Sequence, residues 1–214
     1  MKVLIGCEES QTITKAFRRL GIEAYSNDIQ DCSGGYPEWH LKGNVFDFID
    51  YKEWDLAIFH PPCTYLSVSG IHWNKKRPER AKKTENALLF VEKLMNVDIK
   101  HIAIENPISV ISSRIRKPNQ IINPYQFGDD ASKKTCLWLK NLPLLKHTKY
   151  IEPRIVDGKK RWSNQMDNGQ NIVIDDDGKV VGWNTDKIKK LRSKTFTGIA
   201  SAIAFQWSNY IING

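Results

Sequence analysis

DLAIFHPPC, residues 55–63, reads as a short apolar strand that halts at Pro61-Pro62 and hands the chain to a cysteine. Proline has no backbone donor, so a sheet ladder cannot run past the pair, and its fixed φ forces a tight loop. A second apolar run, HIAIENP at 101–107, halts in the same manner at Glu105-Asn106-Pro107. Between the two, Lys82 to Met95 sets Ala87, Leu88, Val91, Leu94 and Met95 on one helical face. Strand, helix, strand is the unit that joins parallel neighbours in one sheet.

The rhythm extends upstream. Lys2 to Gly6 is an apolar strand, and Gln11 to Leu20 spaces Ile13, Ala16, Phe17 and Leu20 as a helix that stops at Gly21. Ile22 to Tyr25 predicts a second strand ending near Asn27-Asp28, followed by the loop Ser33-Gly34-Gly35 and an apolar run at Val45 to Ile49. The fold expected is α/β, a mostly parallel sheet with helices on both faces. In such sheets ligands bind beyond the carboxyl ends of the strands. Cys7-Glu8, Asp28, Asn44, Cys63 and Glu105 should therefore share one rim.

Residues 146–190 break the pattern. Dense polar residues and NIVIDDDGKVVGW, with its turn at Asp177-Gly178, predict a small β-rich insertion containing a hairpin. Asp175-Asp176-Asp177 lacks metal-ligand spacing and suits the hairpin tip, so no metal is expected. The tail, Phe196 to Ile212, returns as a helix with Ile199, Ile203, Trp207 and Tyr210 at helical spacing. The main domain is thus 1–145 with 191–214.

At 214 residues, 41% hydrophobic and 26% charged, the chain suits a single globular domain with a small appendage. Its first segment is too short to span a bilayer and lacks a leader's pattern, which points to a cytoplasmic protein without membrane contact. The cysteines Cys7, Cys32, Cys63 and Cys136 are scattered with no C-x-x-C pair, against zinc and disulfides alike. The formal charge of +8 favours a polyanionic partner. Lysine and arginine cluster at 75–77, 80–83, 114–117, 133–134, 159–161 and 187–194.

A cysteine presented by a rigid loop is a nucleophile once positive charge or helix amides raise its thiolate fraction. Glu105, flanked by Ile104 and Pro107, is expected to have its pKa raised by partial burial and to keep a proton for a ring nitrogen. Either residue alone is as easily structural: a buried thiol, a turn cap. Together at two strand ends they suit one chemistry, in which a thiolate adds to carbon 6 of a pyrimidine while the carboxyl group steadies the ring nitrogen. His60 and His72 flank the loop, although lone histidines are more often structural.

HPPCTYLSVSG (60–70) resembles the Pro-Cys nucleophile motif of the cytosine-5 DNA methyltransferases, and IENP (104–107) is similar to their Glu-Asn motif. KRPERAKKTENALLFVEKL resembles the helix linking the two, YQFGDDASKKTCLWL (125–139) the later basic motif, and TGIASAIA (197–204) the last, cofactor-side motif. The resemblance implies a Rossmann-like S-adenosylmethionine-dependent methyltransferase fold and methyl transfer to carbon 5 of cytosine in DNA. It implies Cys63 as nucleophile, Glu105 at the ring nitrogen, Asn106 supporting the loop and Lys133 beside the base. S-adenosylmethionine would lie over Gly6, Cys7, Glu8 and Ser10, with Asp28 on the ribose, Asn44 near the adenine, and Pro61 and Ser201 alongside.

The chain departs from that family in places. IGCEESQT lacks the Phe-x-Gly-x-Gly pattern, Asn44 stands where aspartate is common, and Lys133-Lys134-Thr135 replace Gln-x-Arg-x-Arg. Arg114 and Arg116 copy the Arg-x-Arg spacing but follow Glu105 too closely. Residues 146–190 are a short target-recognition region, and the DNA is double- or single-stranded. Trp39, Trp73, Trp162 and Trp183 are potential stacking partners, whereas Trp138 and Trp207 sit in apolar runs and belong to the core. The compact size suits a monomer of phage or bacterial source, in the host cytoplasm if viral. Two other readings stay open: a catalytically degenerate DNA-binding protein on this scaffold, and an enzyme that modifies free pyrimidine nucleotides.

Overall fold

The computed structural model describes residues 1–174, 180–181 and 195–214. The hairpin tip at Asp175 to Gly178, Trp183 and the basic run Lys187 to Lys194 lie outside the described residues.

Seven strands form one sheet in the order β3-β2-β1-β4-β5-β7-β6. They are β1 (Lys2–Gly6), β2 (Glu23–Asp28), β3 (His40–Lys42), β4 (Leu56–Phe59), β5 (His101–Pro107), β6 (Gln120–Ile122) and β7 (Thr135–Lys140). β3, β2, β1, β4 and β5 run parallel, while β7 runs antiparallel to both β5 and β6. This is a Rossmann-like α/β fold, with α1 (Thr12–Arg19) and α3 (Pro78–Met95) as crossover helices and the one-turn helices α2 (Val68–Ile71) and α4 (Ile111–Arg114) in the loops after β4 and β5. β2 and β4 flank β1 on opposite sides, so the strand order reverses there, and it is beyond the carboxyl ends of strands at such a reversal that open α/β sheets bind ligands.

Three elements differ from the sequence reading. Val45–Phe48 is a 3-10 turn and the edge strand is instead His40–Lys42, a three-residue piece with too little apolar content to signal itself. β6 and β7 close the sheet where the sequence showed only a motif. β7, TCLWLK, is buried along all but its last residue and so lacks the alternation that betrays a half-exposed strand.

Each face of the sheet carries its own core. One packs Val3, Ile5, Leu56 and Ile58 against α1 and the C-terminal helix α5 (Thr197–Asn213). The other packs Leu4, Ala57, Phe59 and Ile104 against Leu88, Val91 and Leu94 of α3. Spacings of three and four place Thr84, Leu88, Val91 and Leu94 on one stripe, and Pro78 and Glu79 suit the helix's first turn. Trp138 and Trp207 are both buried, each with its indole N–H donating to a carbonyl, of Arg116 and Pro143 respectively. Tyr210, expected on the buried face of α5, is 45% exposed at its edge.

α5 lies close against the segment after β6. A Cβ on Gly198 would collide with the Phe127 carbonyl oxygen and with the Asp129 carboxylate that accepts from Gly198 N at 2.9 Å. Gly198→Ala is expected to destabilise the fold by about 2 kcal/mol, measured by chemical denaturation.

Residues 146–174 form an annex. β8 (Arg154–Val156) pairs with β9 (Lys159–Arg161), and β10 (Val173–Ile174) with β11 (Val180–Val181), both antiparallel. The annex is tied to the segment after β6: Asp130 accepts from Ser163, Asn164 exchanges two bonds with the Ser132 backbone, and Trp162 stacks on Tyr125 at 4.1 Å. Trp162 is thereby 8% exposed and not open to a base, contrary to expectation.

Candidate active site

The loop after β4 is held at almost every residue. His60 N donates to Gly6 O at 3.0 Å, continuing the β1–β4 ladder one step past the strand. Pro61 O accepts from Asn106 Nδ2 at 2.7 Å. Cys63 opens a 3-10 turn whose carbonyl accepts from Leu66 N and Ser67 N. Thr64 O accepts from Arg80, Tyr65 O from Thr84 Oγ1, and Leu66 O from Val110 N. Four elements therefore fix the turn before any ligand arrives, which is the preorganisation a nucleophile requires. Cys63 is exposed, whereas Cys136 is buried and Cys7 and Cys32 are half-buried. Burial and the nearby Asp28 push the Cys7 thiol up to about 12, and burial with Glu105 pushes Cys136 to about 11. Both remain neutral thiols.

β4 and β5 are in parallel register, Phe59 opposite Ile104, so His60 and Glu105 emerge side by side. His60 Nδ1 and Glu105 Oε2 are 2.8 Å apart, with side chains 12% and 16% exposed. Burial pushes the Glu105 pKa up, but the hydrogen bond and charge of His60, with Lys133 beyond, outweigh it and the net shift is downward. The expected raised pKa is overturned: the sequence showed the apolar flanks of Glu105 but not the imidazole 45 residues earlier. His60 moves the opposite way. Burial acts to lower its pKa, yet Glu105 and Glu8 hold it above the ordinary value of 6.5. His60 is thus the site residue that sequence reasoning undervalued; its place directly after the strand and before Pro61 was the available signal. His72 is exposed beside Trp73.

Lys133 lies near enough to both members of the pair to influence their charge. The alternative cations are engaged elsewhere, Arg114 with Glu85, and Arg116 with Asn119 and the Leu139 carbonyl.

The residues expected to hold the cofactor are placed less uniformly. Gly6 is required by packing, since a Cβ there would stand 2.6 Å from the Phe59 ring. Glu8 is 5% exposed and both its oxygens cap α1, accepting from Ile13 N, Thr14 N and Thr14 Oγ1. Its carboxylate is committed to the helix rather than open to a ligand. Asn44 is exposed and its Oδ1 accepts from Phe46 N, capping the 3-10 turn. Ser10 Oγ pairs with Thr12 Oγ1. Asp28 stands at the end of β2 with Oδ1 on Gln30 N, close to Cys7. Gln11, with φ of 56°, ties Tyr36 over this loop through both ends of its amide. Glu9 Oε2 is buried with no hydrogen-bond partner among the described residues, an acceptor that the sequence reading passed over. Ser201 lines a different cleft, with Phe127, Asp129, Thr148 and Phe205 among its walls and none of residues 6–10.

No helix among the described residues is long and apolar enough to cross a membrane. No protein-family profile and no curated protein matches the chain. Among solved structures it is similar to a protein encoded within an E. coli prophage and named as a DNA modification methyltransferase, at 12% identity, with 74% of this chain covered and a TM-score of 0.43. This chain spans about half of that protein, 54%.

Proposed function

We propose that the protein is a DNA methyltransferase acting at carbon 5 of cytosine, with Cys63 as nucleophile and Glu105 at the ring nitrogen. The observation that carries this reading is the exposed Cys63 on a loop anchored by four elements, beside a carboxylate emerging from the neighbouring strand. Sγ adds to carbon 6, the ring nitrogen is met by Glu105, and carbon 5 gains the electron density to accept a methyl group. A water molecule then takes the proton from carbon 5, the pair it leaves re-forms the carbon 5–carbon 6 double bond, and the Sγ–carbon 6 pair returns to sulfur, releasing the product. Asn106 holds the loop through Pro61, and Lys133 supplies positive charge beside the base.

S-adenosylmethionine, when bound, supplies an electrophilic methyl group. Its ammonium and ribose hydroxyls are donors, and the rim offers acceptors to match in the unpartnered Glu9 oxygen and the Asp28 carboxylate. Residues 1–145 and 191–214 act as the catalytic domain and 146–190 as the target-recognition region.

DNA is the substrate that fits the charge. Next to the nucleophile turn, Arg80 and Lys83 flank the Tyr65 ring at 5.2 and 5.6 Å, and Lys76 and Arg77 flank Trp73, which is 41% exposed. Cations interleaved with aromatic faces suit a phosphate backbone carrying unstacked bases. Trp39, by contrast, is stacked on Tyr36 at 4.1 Å with the Arg18 guanidinium over it.

DNA containing 5-fluorocytosine tests the reading, because fluorine at carbon 5 blocks the proton loss that frees the enzyme. Incubation with S-adenosylmethionine is expected to give a covalent protein–DNA adduct that peptide mass spectrometry maps to Cys63. No adduct, or an adduct unchanged in Cys63→Ala, overturns it.

A further inference from the structure

The proposed reaction needs a proton at the pyrimidine ring nitrogen, yet the residue that meets the nitrogen is held as a carboxylate. Its proton must come from a neighbour. His60 is the group in place: it follows β4 directly, its backbone is pinned to Gly6, and its Nδ1 is 2.8 Å from Glu105 Oε2. Its other nitrogen, Nε2, is buried and makes no hydrogen bond among the described residues, so the Nδ1 contact with Glu105 is the path by which the imidazolium can give up a proton.

We propose that His60 is a positioning residue and proton reservoir for Glu105, holding the carboxylate through Nδ1 and resupplying the proton that Glu105 passes to the base. This rests on the methyl-transfer reading above. As Sγ of Cys63 bonds to carbon 6, the π pair between carbons 5 and 6 shifts to lie between carbons 4 and 5. The pair between carbon 4 and the ring nitrogen moves onto the nitrogen, which takes a proton from Glu105, while the proton on Nδ1 crosses to Oε2 and leaves a neutral imidazole. When the Sγ–carbon 6 bond breaks, the proton returns along the same path, so the pair ends as it began.

The groups facing the imidazole suit this role. Glu105 approaches from β5, Glu8 from the loop after β1, and Lys133 from the stretch before β7; Cys136 on β7 faces Glu105 as a neutral thiol. Glu8 favours the imidazolium and Lys133 opposes it, with Glu105 the largest favourable partner. Two carboxyl groups and one lysine therefore surround the imidazole that carries the exchangeable proton. In water a carboxyl group alone would retain that proton only under acidic conditions, whereas the pair retains it until the imidazolium titrates.

The test is the pH profile of kcat/KM for carbon 5 methylation of DNA by the full chain and by His60→Gln, which keeps a hydrogen-bonding amide but cannot carry the proton. The wild-type rate is expected to fall as pH rises through a value above 6.5. His60→Gln should lose roughly 100-fold at neutral pH, with its falling limb displaced toward the ordinary carboxylate range. A His60→Gln profile that superimposes on the wild type overturns the proposal. Should that variant fail to fold, the His60 imidazole can be titrated by NMR in the wild type and in Glu105→Gln: its pKa should drop in the variant, and equal values overturn the proposal. A wild-type protein that methylates no DNA overturns the underlying reading, and a protein that methylates DNA indifferently to residue 60 overturns this one alone.

Discussion

Cys63→Ala is expected to abolish methyl transfer to DNA, by at least about 10⁴-fold, because Cys63 is the exposed thiol beside Glu105 that the proposed bond to carbon 6 requires. Cys7 is held at about 12 and Cys136 at about 11, so neither is thiolate at neutral pH. Cys63→Ser is expected to be nearly as inactive, since a hydroxyl at ordinary pKa is a far weaker nucleophile. The fold should tolerate both changes: the carbonyls of residues 61 and 63–66 anchor the turn, and the Sγ atom takes no part in those bonds. Filter-bound methyl incorporation, alongside thermal unfolding to show an unchanged Tm, measures both. Residual activity within tenfold of wild type would place the chemistry elsewhere.

Glu8→Ala is expected to have the largest effect on stability. The carboxylate accepts at 2.6 Å from Ile13 N, 3.3 Å from Thr14 N and 2.7 Å from Thr14 Oγ1, all buried. Removing it strands donors in the first turn of α1 with no access to water, costing about 3 kcal/mol. For a chain of this size that is a drop in Tm of roughly 10 °C. Glu8→Gln is expected to lose less than about 1 kcal/mol, because its Oε1 can accept from Ile13 and its amide can donate to Thr14 Oγ1.

The two variants also separate in pH dependence. Burial, the largest cause, holds Glu8 above its ordinary 4.5, although His60 and the α1 donors oppose it. The folded state thus binds this proton more tightly than the unfolded state, and stability from this group falls as pH rises from 4.5 through the folded value. Glu105 acts in the opposite sense: its lowered pKa contributes stability above 4.5 that is lost as pH falls through the folded value. His60, raised above 6.5, contributes fully below 6.5 and loses its contribution as pH rises through its folded value. Denaturation midpoints across pH should show the Glu8 dependence disappear in Glu8→Gln.

Much of this was legible along the chain. β1, β4 and the first half of β5 announced themselves as continuous apolar runs, and α3 and α5 because their buried residues recur every three or four positions, whereas β2, EAYSND, is largely polar and showed itself only by its place after the α1 stop at Gly21. β3 and β6 have three residues each and exist only because neighbours supply their hydrogen bonds. Local pattern cannot foretell such strands. β10 and β11 pair where the sequence placed a hairpin, whose turn lies outside the described residues, whereas the burial of Trp162 depended on Tyr125, a partner 37 residues away.

By itself, the sequence determined that Cys63 and Glu105 would lie just beyond the paired stretch of two adjacent parallel strands, because Pro61-Pro62 ends β4 and a helix of the right length joins it to β5; it did not show that β5 continues through Pro107 against β7. Only the tertiary structure decided what those residues are. It drew His60 against Glu105 and lowered a pKa that burial alone would raise, it committed Glu8 to a helix cap, and it set Ser201 in a cleft walled by Phe127 and Asp129. The physical reason is common to all three. Strand order follows from periodicity within the chain, but the charge of a buried group follows from whichever neighbours the fold brings within a few ångströms.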